Sequence, residues 1–267
     1  MGADGDMNLD LAGKKVFISG STQGIGHAVA IACAAEGASV VINGRTEDRV
    51  AVAVDRIRAD VPGADVSGIA ADVADPTAVD RLLEQLGEVD ILVNNAGVFD
   101  VAPFAHIDDD EWSRYFELNV MAAVRLSRRL LPGMLERNEG RIIFIGTESA
   151  VDVPADMIHY GATKAAALAV ANGLAKLTRG TDVTVNTVLG GPTYSDGVAA
   201  AIEGIAAAQS LEADQLTASL VRATSLLQRF IRPDEIAHLV TFLASPLSSA
   251  TNGAALRADG GVLTTVV

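Results

Sequence analysis

Short runs of aliphatic, often β-branched residues alternate with longer segments that carry apolar residues at helical spacing, almost to the end of the chain. Such runs are typical of parallel strands, and the longer segments are typical of amphipathic helices. The alternation predicts an α/β fold with a doubly wound parallel sheet and helices on both faces. The predicted strands are Lys15–Ser19, Ser39–Asn43, Val66–Ala70, Ile91–Asn94, Arg141–Gly146, Thr184–Leu189 and Ala255–Arg257, with helices including Ile25–Glu36, Val50–Asp60 and Thr77–Leu86.

No repeat, low-complexity linker or charge block divides the chain. We therefore predict a flexible leader at residues 1–10 and a single domain at residues 11–267. Residues 194–227 interrupt the alternation with two helical patterns and no strand. We interpret this segment as a substrate-binding lobe, because an insertion at the carboxyl ends of parallel strands lies where such sheets bind ligands.

Composition and charge exclude several classes of protein. The 267 residues are 49% hydrophobic but only 4% aromatic, which indicates an aliphatic core. A net charge of −14 argues against nucleic-acid binding, because phosphate backbones would be repelled. Cys33 is the only cysteine and the four histidines lack ligand spacing, so we predict neither a disulfide nor a metal site. Without a signal pattern or a long apolar run, we expect a cytoplasmic protein that makes no membrane contact.

A glycine-rich turn follows the first strand and opens the first helix, the context in which such turns bind dinucleotides. Glycine permits the tight turn and lets the backbone approach a pyrophosphate, to which the helix N-terminus offers free N–H groups. The alternative is a glycine-rich turn that binds no ligand. The predicted cofactor contacts in this turn are Gly20, Ser21, Thr22, Gln23, Gly24, Ile25 and Gly26.

The residue after the second strand distinguishes NADP from NAD. An acidic residue there would bind the adenosine ribose of NAD, whereas Arg45 can pair with the 2′-phosphate of NADP. We therefore predict NADP in preference to NAD, although Gln23 stands where a second basic residue would strengthen the case. Asp72 and Val73, after the third strand, are further predicted contacts. Asp72 could accept a hydrogen bond from adenine or, equally, cap its own turn.

Tyr160 and Lys164 lie four residues apart, on one face of a predicted helix. A free phenol titrates near pH ~10, and an ammonium group within ~4–6 Å lowers that pKa. The pair therefore suits general acid–base work on a carbonyl or an alcohol. The same spacing also occurs by chance on solvated helices, so the pair indicates a catalytic site only if other motifs in the chain agree with it.

With these residues in place, the chain resembles the short-chain dehydrogenase/reductase family over nearly its full length. The resemblance implies a Rossmann-like fold with a seven-stranded parallel sheet, assembled as a dimer or tetramer. It rests on the order and spacing of Gly20-xxx-Gly24-Ile25-Gly26, Asn94–Gly97, Leu118–Val120, Tyr160-xxx-Lys164, Asn186–Thr193, Arg232–Ala237 and Asp259–Gly261.

The resemblance also implies roles for individual residues. Tyr160 would protonate a carbonyl oxygen in reduction or take the alcohol proton in oxidation. Lys164 would lower the pKa of Tyr160 and bind the nicotinamide ribose, and Asn119 would hold a water that connects Lys164 to solvent. Asn95 is equally well explained as an amide that stabilises the sheet. The further cofactor contacts implied are Asn95, Ala96, Gly97, Gly191 and Thr193.

Two positions depart from the family pattern. Thr147 stands thirteen residues before Tyr160, where the family usually has serine. Its hydroxyl can still donate to a substrate oxygen, while its methyl group narrows the pocket. Ser149 is the alternative donor, and Tyr194 is a candidate pocket residue. Gly190 replaces the usual proline, and we expect this to loosen a loop beside the nicotinamide.

We therefore expect an NADP(H)-dependent oxidoreductase that interconverts a ketone or aldehyde with its alcohol. The predicted lobe has no arginine or lysine before Arg222, so it offers little to bind an anionic substrate. Two alternatives stay open. One is a 3-oxoacyl-thioester reductase acting on an acyl carrier protein, which should carry a basic patch. The other is an NADP-binding sensor or scaffold that kept the fold and lost the chemistry.

Overall fold

Seven parallel strands form one sheet in the order β3-β2-β1-β4-β5-β6-β7. The computed structural model describes residues 8–209 and 212–266, so residues 1–7 of the predicted leader lie outside it. All seven predicted strands are confirmed, with ends that differ by one residue at most. Their bounds are β1 Lys15–Ile18, β2 Ser39–Gly44, β3 Val66–Ala70, β4 Ile91–Asn94, β5 Gly140–Thr147, β6 Val183–Gly190 and β7 Ala255–Ala258.

Helices cover both faces of the sheet, as predicted. Helices α1, α2 and α9 pack on one face, and α3, α5 and α6 pack on the other. The lobe contributes α7 and α8, and residues 194–209 and 212–227 contain no strand. The bounds are α1 Gly24–Ala35, α2 Glu47–Asp60, α3 Pro76–Leu86, α4 Asp109–Phe116, α5 Ala122–Glu136, α6 Ile158–Leu177, α7 Asp196–Gln209, α8 Ala213–Ser219 and α9 Pro233–Ala244. No helix in the described ranges is long and apolar enough to cross a membrane.

The core divides into two aliphatic clusters, one on each face of the sheet. Successive side chains along a strand point to opposite faces, so Phe17 joins one cluster and Ile18 the other. Leu92 and Val93 of β4 divide in the same way. Because both faces of the sheet are covered at its centre, β1 and β4 are largely apolar, whereas β3 at one edge is partly exposed.

Side-chain caps explain where several helices begin. Thr46, Asp75 and Asp108 accept backbone N–H groups at the starts of α2, α3 and α4, over 3.4, 2.9 and 2.8 Å. The acidic first turn of α4 suits the positive end of the helix dipole. A π-helical segment, Glu117–Met121, joins α4 to α5. Such segments are rare and occur frequently at functional sites.

The expectation of a loosened loop at Gly190 is wrong. Gly190 is the buried last residue of β6, aligned with Thr147 of β5 and Ala258 of β7. A Cβ atom at this position would come within 2.9 Å of Ile236 Cδ1. The space that a side chain at this position would need is taken by the Ile236 side chain of α9.

Candidate active site

The predicted site residues follow the carboxyl ends of neighbouring strands. The strand order reverses between β1 and β4, and such a switch point is where parallel sheets bind ligands. Gly20 follows β1 and Ala96 follows β4. A Cβ atom at Gly20 would lie only 2.9 Å from Ala96 Cα, so the two chain segments meet at close range.

The glycine-rich turn has the geometry that a phosphate group requires. Gly20 and Gly24 both have φ of +61°, a conformation that other residues adopt at a cost. Gln23 provides no side-chain cap for α1, and the first turn of the helix has no acidic residue. The Gly24 N–H instead donates to the carboxylate of Asp196 over 3.1 Å. An anionic oxygen therefore fits at this helix N-terminus, so the turn suits a pyrophosphate.

Other side chains of the turn are committed to the fold. Ser21 is fully buried; its Oγ donates to Ile18 O over 2.7 Å and accepts from Asn43 N over 2.9 Å. Ile25 packs against the core cluster on its face of the sheet. The predicted cofactor contacts of Ser21 and Ile25 are thus left to main-chain groups, while Thr22 and Gln23 keep exposed surface.

Arg45 lies exposed just after β2. It forms no ion pair with any residue in the described ranges. Asp72 Oδ1 accepts from Ala74 N over 3.0 Å, so the turn-capping alternative for Asp72 is present in the structure. Val73 is 4% exposed and packs in the core, which leaves only its main chain for a cofactor.

Asn95 ties β4 to β1. Its Nδ2 donates to Ser19 O over 3.0 Å and to Gly20 O over 2.8 Å. The N–H groups of Asn95 and Ala96 both donate to Ser19 Oγ over 3.0 Å. The geometry therefore favours the sheet-stabilising explanation of Asn95. At Gly97, a Cβ atom would lie 3.2 Å from Lys164 Nζ, so this position closely approaches the Tyr160–Lys164 pair.

Tyr160 and Lys164 lie together on α6, with Lys164 Nζ 6.0 Å from the centre of the Tyr160 ring. Nζ donates to Ile145 O over 3.0 Å, and burial lowers the pKa of Lys164 to about 8. Burial raises the pKa of Tyr160 above its ordinary value, the nearby Thr147 hydroxyl acts in the opposite direction, and the negative charge of Glu148 adds to the rise. Contrary to the expectation that Lys164 lowers it, the pKa of the phenol is raised, because desolvation is the dominant influence.

Asn119 lies in the π-helical segment and faces Gly97. Its Nδ2 donates to Val98 O and to Thr163 Oγ1, both over 3.0 Å, and its Oδ1 accepts from Val98 N over 2.8 Å. Both amide hydrogens are thus used within the protein. In the predicted water relay, the group of Asn119 that would bind the water is therefore chiefly its main-chain carbonyl.

Glu148 is a site residue that the sequence argument missed. Thr147 Oγ1 donates to Glu148 Oε2 over 2.5 Å, and Ser149 Oγ donates to Oε1 over 3.0 Å. The two hydroxyl groups predicted to face the substrate therefore share one carboxylate, which is only 3% exposed. The signal was available in the sequence, since a charged residue directly after a buried strand needs partners.

The lobe meets the site at its first residues. Thr193 Oγ1 donates to Gly191 O over 2.8 Å, and Thr193 forms a bridge with Ile231. The Tyr194 ring stands edge-on to Phe230, with 5.9 Å between centres. Phe99, which no sequence pattern indicated, is 52% exposed and stands edge-on to Tyr160, with 6.2 Å between the ring centres.

A glycine-rich turn suited to a pyrophosphate lies at a switch point, with a partly buried tyrosine and a buried lysine two strands away, and this arrangement is typical of dinucleotide-dependent α/β oxidoreductases. Residues 14–205 match the family model described as short chain dehydrogenase, and the chain belongs to this family. The predicted family and fold are confirmed, and the protein is an NAD(P)-dependent dehydrogenase or reductase.

Three relatives illustrate the range of similarity. The chain is 47% identical to the protein named uncharacterized oxidoreductase YvaG of Bacillus subtilis, covering 97% of this chain and 100% of that protein. It is 33% identical to the 3-oxoacyl-(acyl-carrier-protein) reductase FabG of Vibrio cholerae, covering 95% and 99%. The structure resembles L-sorbose reductase from Gluconobacter frateurii, complexed with NADPH and L-sorbose, with a TM-score of 0.92, 33% identity and coverage of 97% and 100%.

Replacing Asn95 by alanine should destabilise the fold, because two main-chain carbonyls at the end of β1 lose their donor. We expect the free energy of unfolding to fall by about 1–3 kcal/mol in urea titrations. Asn172→Ala is the control, since Asn172 makes one hydrogen bond of 3.2 Å at an exposed position. Equal losses in the two variants would contradict the role given to Asn95.

The buried Lys164 should make stability depend on pH. Its folded pKa is about 8 and its ordinary value 10.5, so between these values the unfolded chain binds a proton that the folded chain does not. Stability should therefore rise with pH across this window, by up to about 3 kcal/mol relative to Lys164→Met. The gain in the free energy of unfolding is complete above pH 10.5, and it is lost as the pH falls through about 8.

Unfolding free energies of the wild type and Lys164→Met, measured from pH 7 upward without added nucleotide, test this dependence. Lys176→Met removes the same charge from the exposed end of α6, and its difference curve should stay flat. A flat curve for Lys164→Met as well would show that the burial of Lys164 does not shift its titration.

Proposed function

We propose that this protein is an NADP(H)-dependent oxidoreductase that interconverts a ketone or aldehyde with its alcohol by hydride transfer. The observation that carries this proposal is the grouping of Tyr160, Lys164 and Thr147 around the carboxyl end of β5, beyond a turn suited to pyrophosphate. The family supplies the general class of reaction, and these side chains supply the acid–base chemistry.

In the proposed mechanism, Tyr160 is the general acid in reduction. The phenol is protonated at neutral pH and so has a proton to give to a carbonyl oxygen, while its raised pKa makes it a weaker acid than a free tyrosine. Lys164, with its pKa lowered to about 8, holds a positive charge close to the ring at pH 7. The nicotinamide, when bound, would supply or accept the hydride. The protein contributes position, a proton and the exclusion of water.

Arg45 supports the preference for NADP. Its guanidinium is exposed at the end of β2, without an ion-pair partner among the described residues, and can pair with a phosphate in a bidentate manner. The similar L-sorbose reductase is described in complex with NADPH.

The surroundings of Tyr160 support a neutral, moderately apolar substrate. Phe99, Val151 and Val153 keep 52%, 47% and 41% of their surface exposed on the segments near Tyr160. Arg222, the first cation of the lobe, has its charge balanced by Glu148 at 3.3 Å. An anionic substrate would find no unbalanced positive charge in this pair. The FabG relatives make an acyl thioester the second candidate, although the net charge of −14 does not suit an acidic carrier protein.

Assembly and location remain predictions. The resemblance predicts a dimer or tetramer, and the composition predicts a cytoplasmic protein. The proposed chemistry uses residues of a single chain.

Replacing Tyr160 by phenylalanine tests the mechanism. We expect kcat for NADPH-dependent carbonyl reduction to fall by about 100-fold or more, because the general acid is removed, while NADPH affinity stays within about twofold. Turnover would be followed against neutral ketones, aldehydes and acyl thioesters, and NADPH binding by fluorescence titration. The control is Tyr115→Phe, because the buried Tyr115 hydroxyl has no hydrogen-bond partner among the described residues. A wild type that binds NADPH but reduces no substrate would favour the sensor alternative.

Replacing Arg45 by aspartate tests the cofactor preference. The ratio of kcat/KM for NADPH to that for NADH should fall by about 10- to 100-fold, because a charged hydrogen bond to the 2′-phosphate is lost and a repulsive charge is added. Arg179→Asp makes the same charge change at the exposed end of α6 and should leave the ratio unchanged. An unchanged ratio in Arg45→Asp would remove the basis for the NADP preference.

A further inference from the structure

A buried carboxylate lies next to the proposed acid–base residues, and the mechanism above does not use it. Glu148 is 3% exposed and lies in the short turn that directly follows Thr147 and β5. A carboxylate in such a position is costly unless hydrogen bonds or an opposite charge compensate it. Here it has both kinds of compensation, from Thr147, Ser149 and Arg222.

The bond to Thr147 determines where the threonine hydroxyl points. A carboxylate accepts but does not donate, so the Thr147 proton is directed to Glu148 Oε2 over 2.5 Å. The backbone N–H of Ser149 donates to Thr147 Oγ1 over 3.2 Å, which fixes the oxygen from a second side. A hydroxyl has only one proton, so Thr147 cannot donate to the Tyr160 oxygen while it donates to Glu148.

The counter-charge comes from a different part of the chain. Arg222 follows α8 in the lobe, and its Nη2 lies 3.3 Å from Glu148 Oε1. The Arg222 side chain is 29% exposed, whereas the Glu148 side chain is 4% exposed, so solvent screens this ion pair only in part. The pair therefore links the lobe directly to the turn that positions Thr147.

We propose that Glu148 is a positioning residue that, with Arg222 as its counter-charge, orients the Thr147 hydroxyl and sets the proton affinity of the Tyr160–Lys164 pair. This inference rests on the proposed function. The lobe thereby contributes an electrostatic control: when Arg222 is in place, the negative potential of Glu148 at Tyr160 is reduced.

The groups that face this centre come from several elements. Lys164 lies on the same helix as Tyr160, and Tyr115 of α4, whose ring packs against His159, is near enough to influence Tyr160 electrostatically. Glu148 faces it from the turn after β5, and Arg222 faces Glu148 from the lobe. Removing a nearby negative charge lowers the pKa of a tyrosine and of a lysine alike. The expected pKa shift therefore has the same direction whether Tyr160 or Lys164 is the group that titrates.

The test compares the upper limb of the pH profile of kcat/KM for NADPH-dependent carbonyl reduction in three variants. Glu148→Gln keeps the shape and a hydrogen-bond acceptor but removes the charge, so activity should be lost about one pH unit lower than in the wild type. Arg222→Gln leaves the carboxylate uncompensated, so the limb should move to higher pH. The double variant should return towards the wild-type position, because both charges are gone.

Opposite shifts in the two single variants are a result that general destabilisation does not produce. Arg229→Gln provides the matched control, because Arg229 pairs with Glu235 at 2.7 Å rather than with Glu148. It makes the same change in net charge nearby and should leave the limb in place. Shifts in one direction for both single variants, or no shift in either, would overturn the proposal.

Hydrogen–deuterium exchange of residues 212–227 gives a second readout that needs no turnover. Loss of the ion pair should raise exchange in this part of the lobe in both Glu148→Gln and Arg222→Gln, and not in Arg229→Gln. If the wild type reduces no carbonyl but the exchange changes as expected, the proposed function fails while the link between lobe and turn stands. If exchange is unchanged in an active enzyme, the link fails and the proposed function stands.

Discussion

The close contact between the ends of β1 and β4 is the constraint on which the site depends. Ser19 Oγ accepts two N–H groups from the β4 end, and Asn95 returns two hydrogen bonds to Ser19 O and Gly20 O. These bonds hold the segments together where the strand order reverses. The tight turn of Gly20 follows from this approach, and the start of α1 is thereby aimed at the crevice. The geometry that suits a phosphate group thus follows from the contact between the segments after β1 and β4.

Burial is the second physical theme of the site, because it acts on each ionisable group in a different direction. It weakens the positive charge of Lys164 by lowering its pKa and holds the proton on Tyr160 by raising the phenol pKa. Glu148 adds a negative charge that acts in the same direction on Tyr160. A protonated phenol has the proton that a carbonyl oxygen needs, but a raised pKa makes that proton harder to give up, so influences that lower the pKa favour the reaction in either direction.

The lobe touches both halves of the site through charged side chains. Asp196 at the start of α7 accepts from Gly24 N at the glycine-rich turn, and Arg222 after α8 lies 3.3 Å from Glu148, beside Thr147. The first contact lies on the side of the glycine-rich turn, and the second lies on the side of the acid–base residues. The position of the lobe and the electrostatics of the site are therefore connected through side chains rather than through shape alone.

The sequence by itself determined the strand–helix order, all seven strands and the family, because these depend on local patterns. Apolar runs, the glycine-rich turn and the Tyr160–Lys164 spacing each lie within a few consecutive residues. Tertiary structure alone decided what these residues meet. The sequence predicts a loosened loop at Gly190, whereas the structure places this residue at the buried end of β6 beside the Ile236 side chain. Glu148 and Arg222 form an ion pair although they lie 74 positions apart in the chain. Hydrogen bonds and burial act between atoms adjacent in space, and a pattern along the chain carries no record of which distant residues those are.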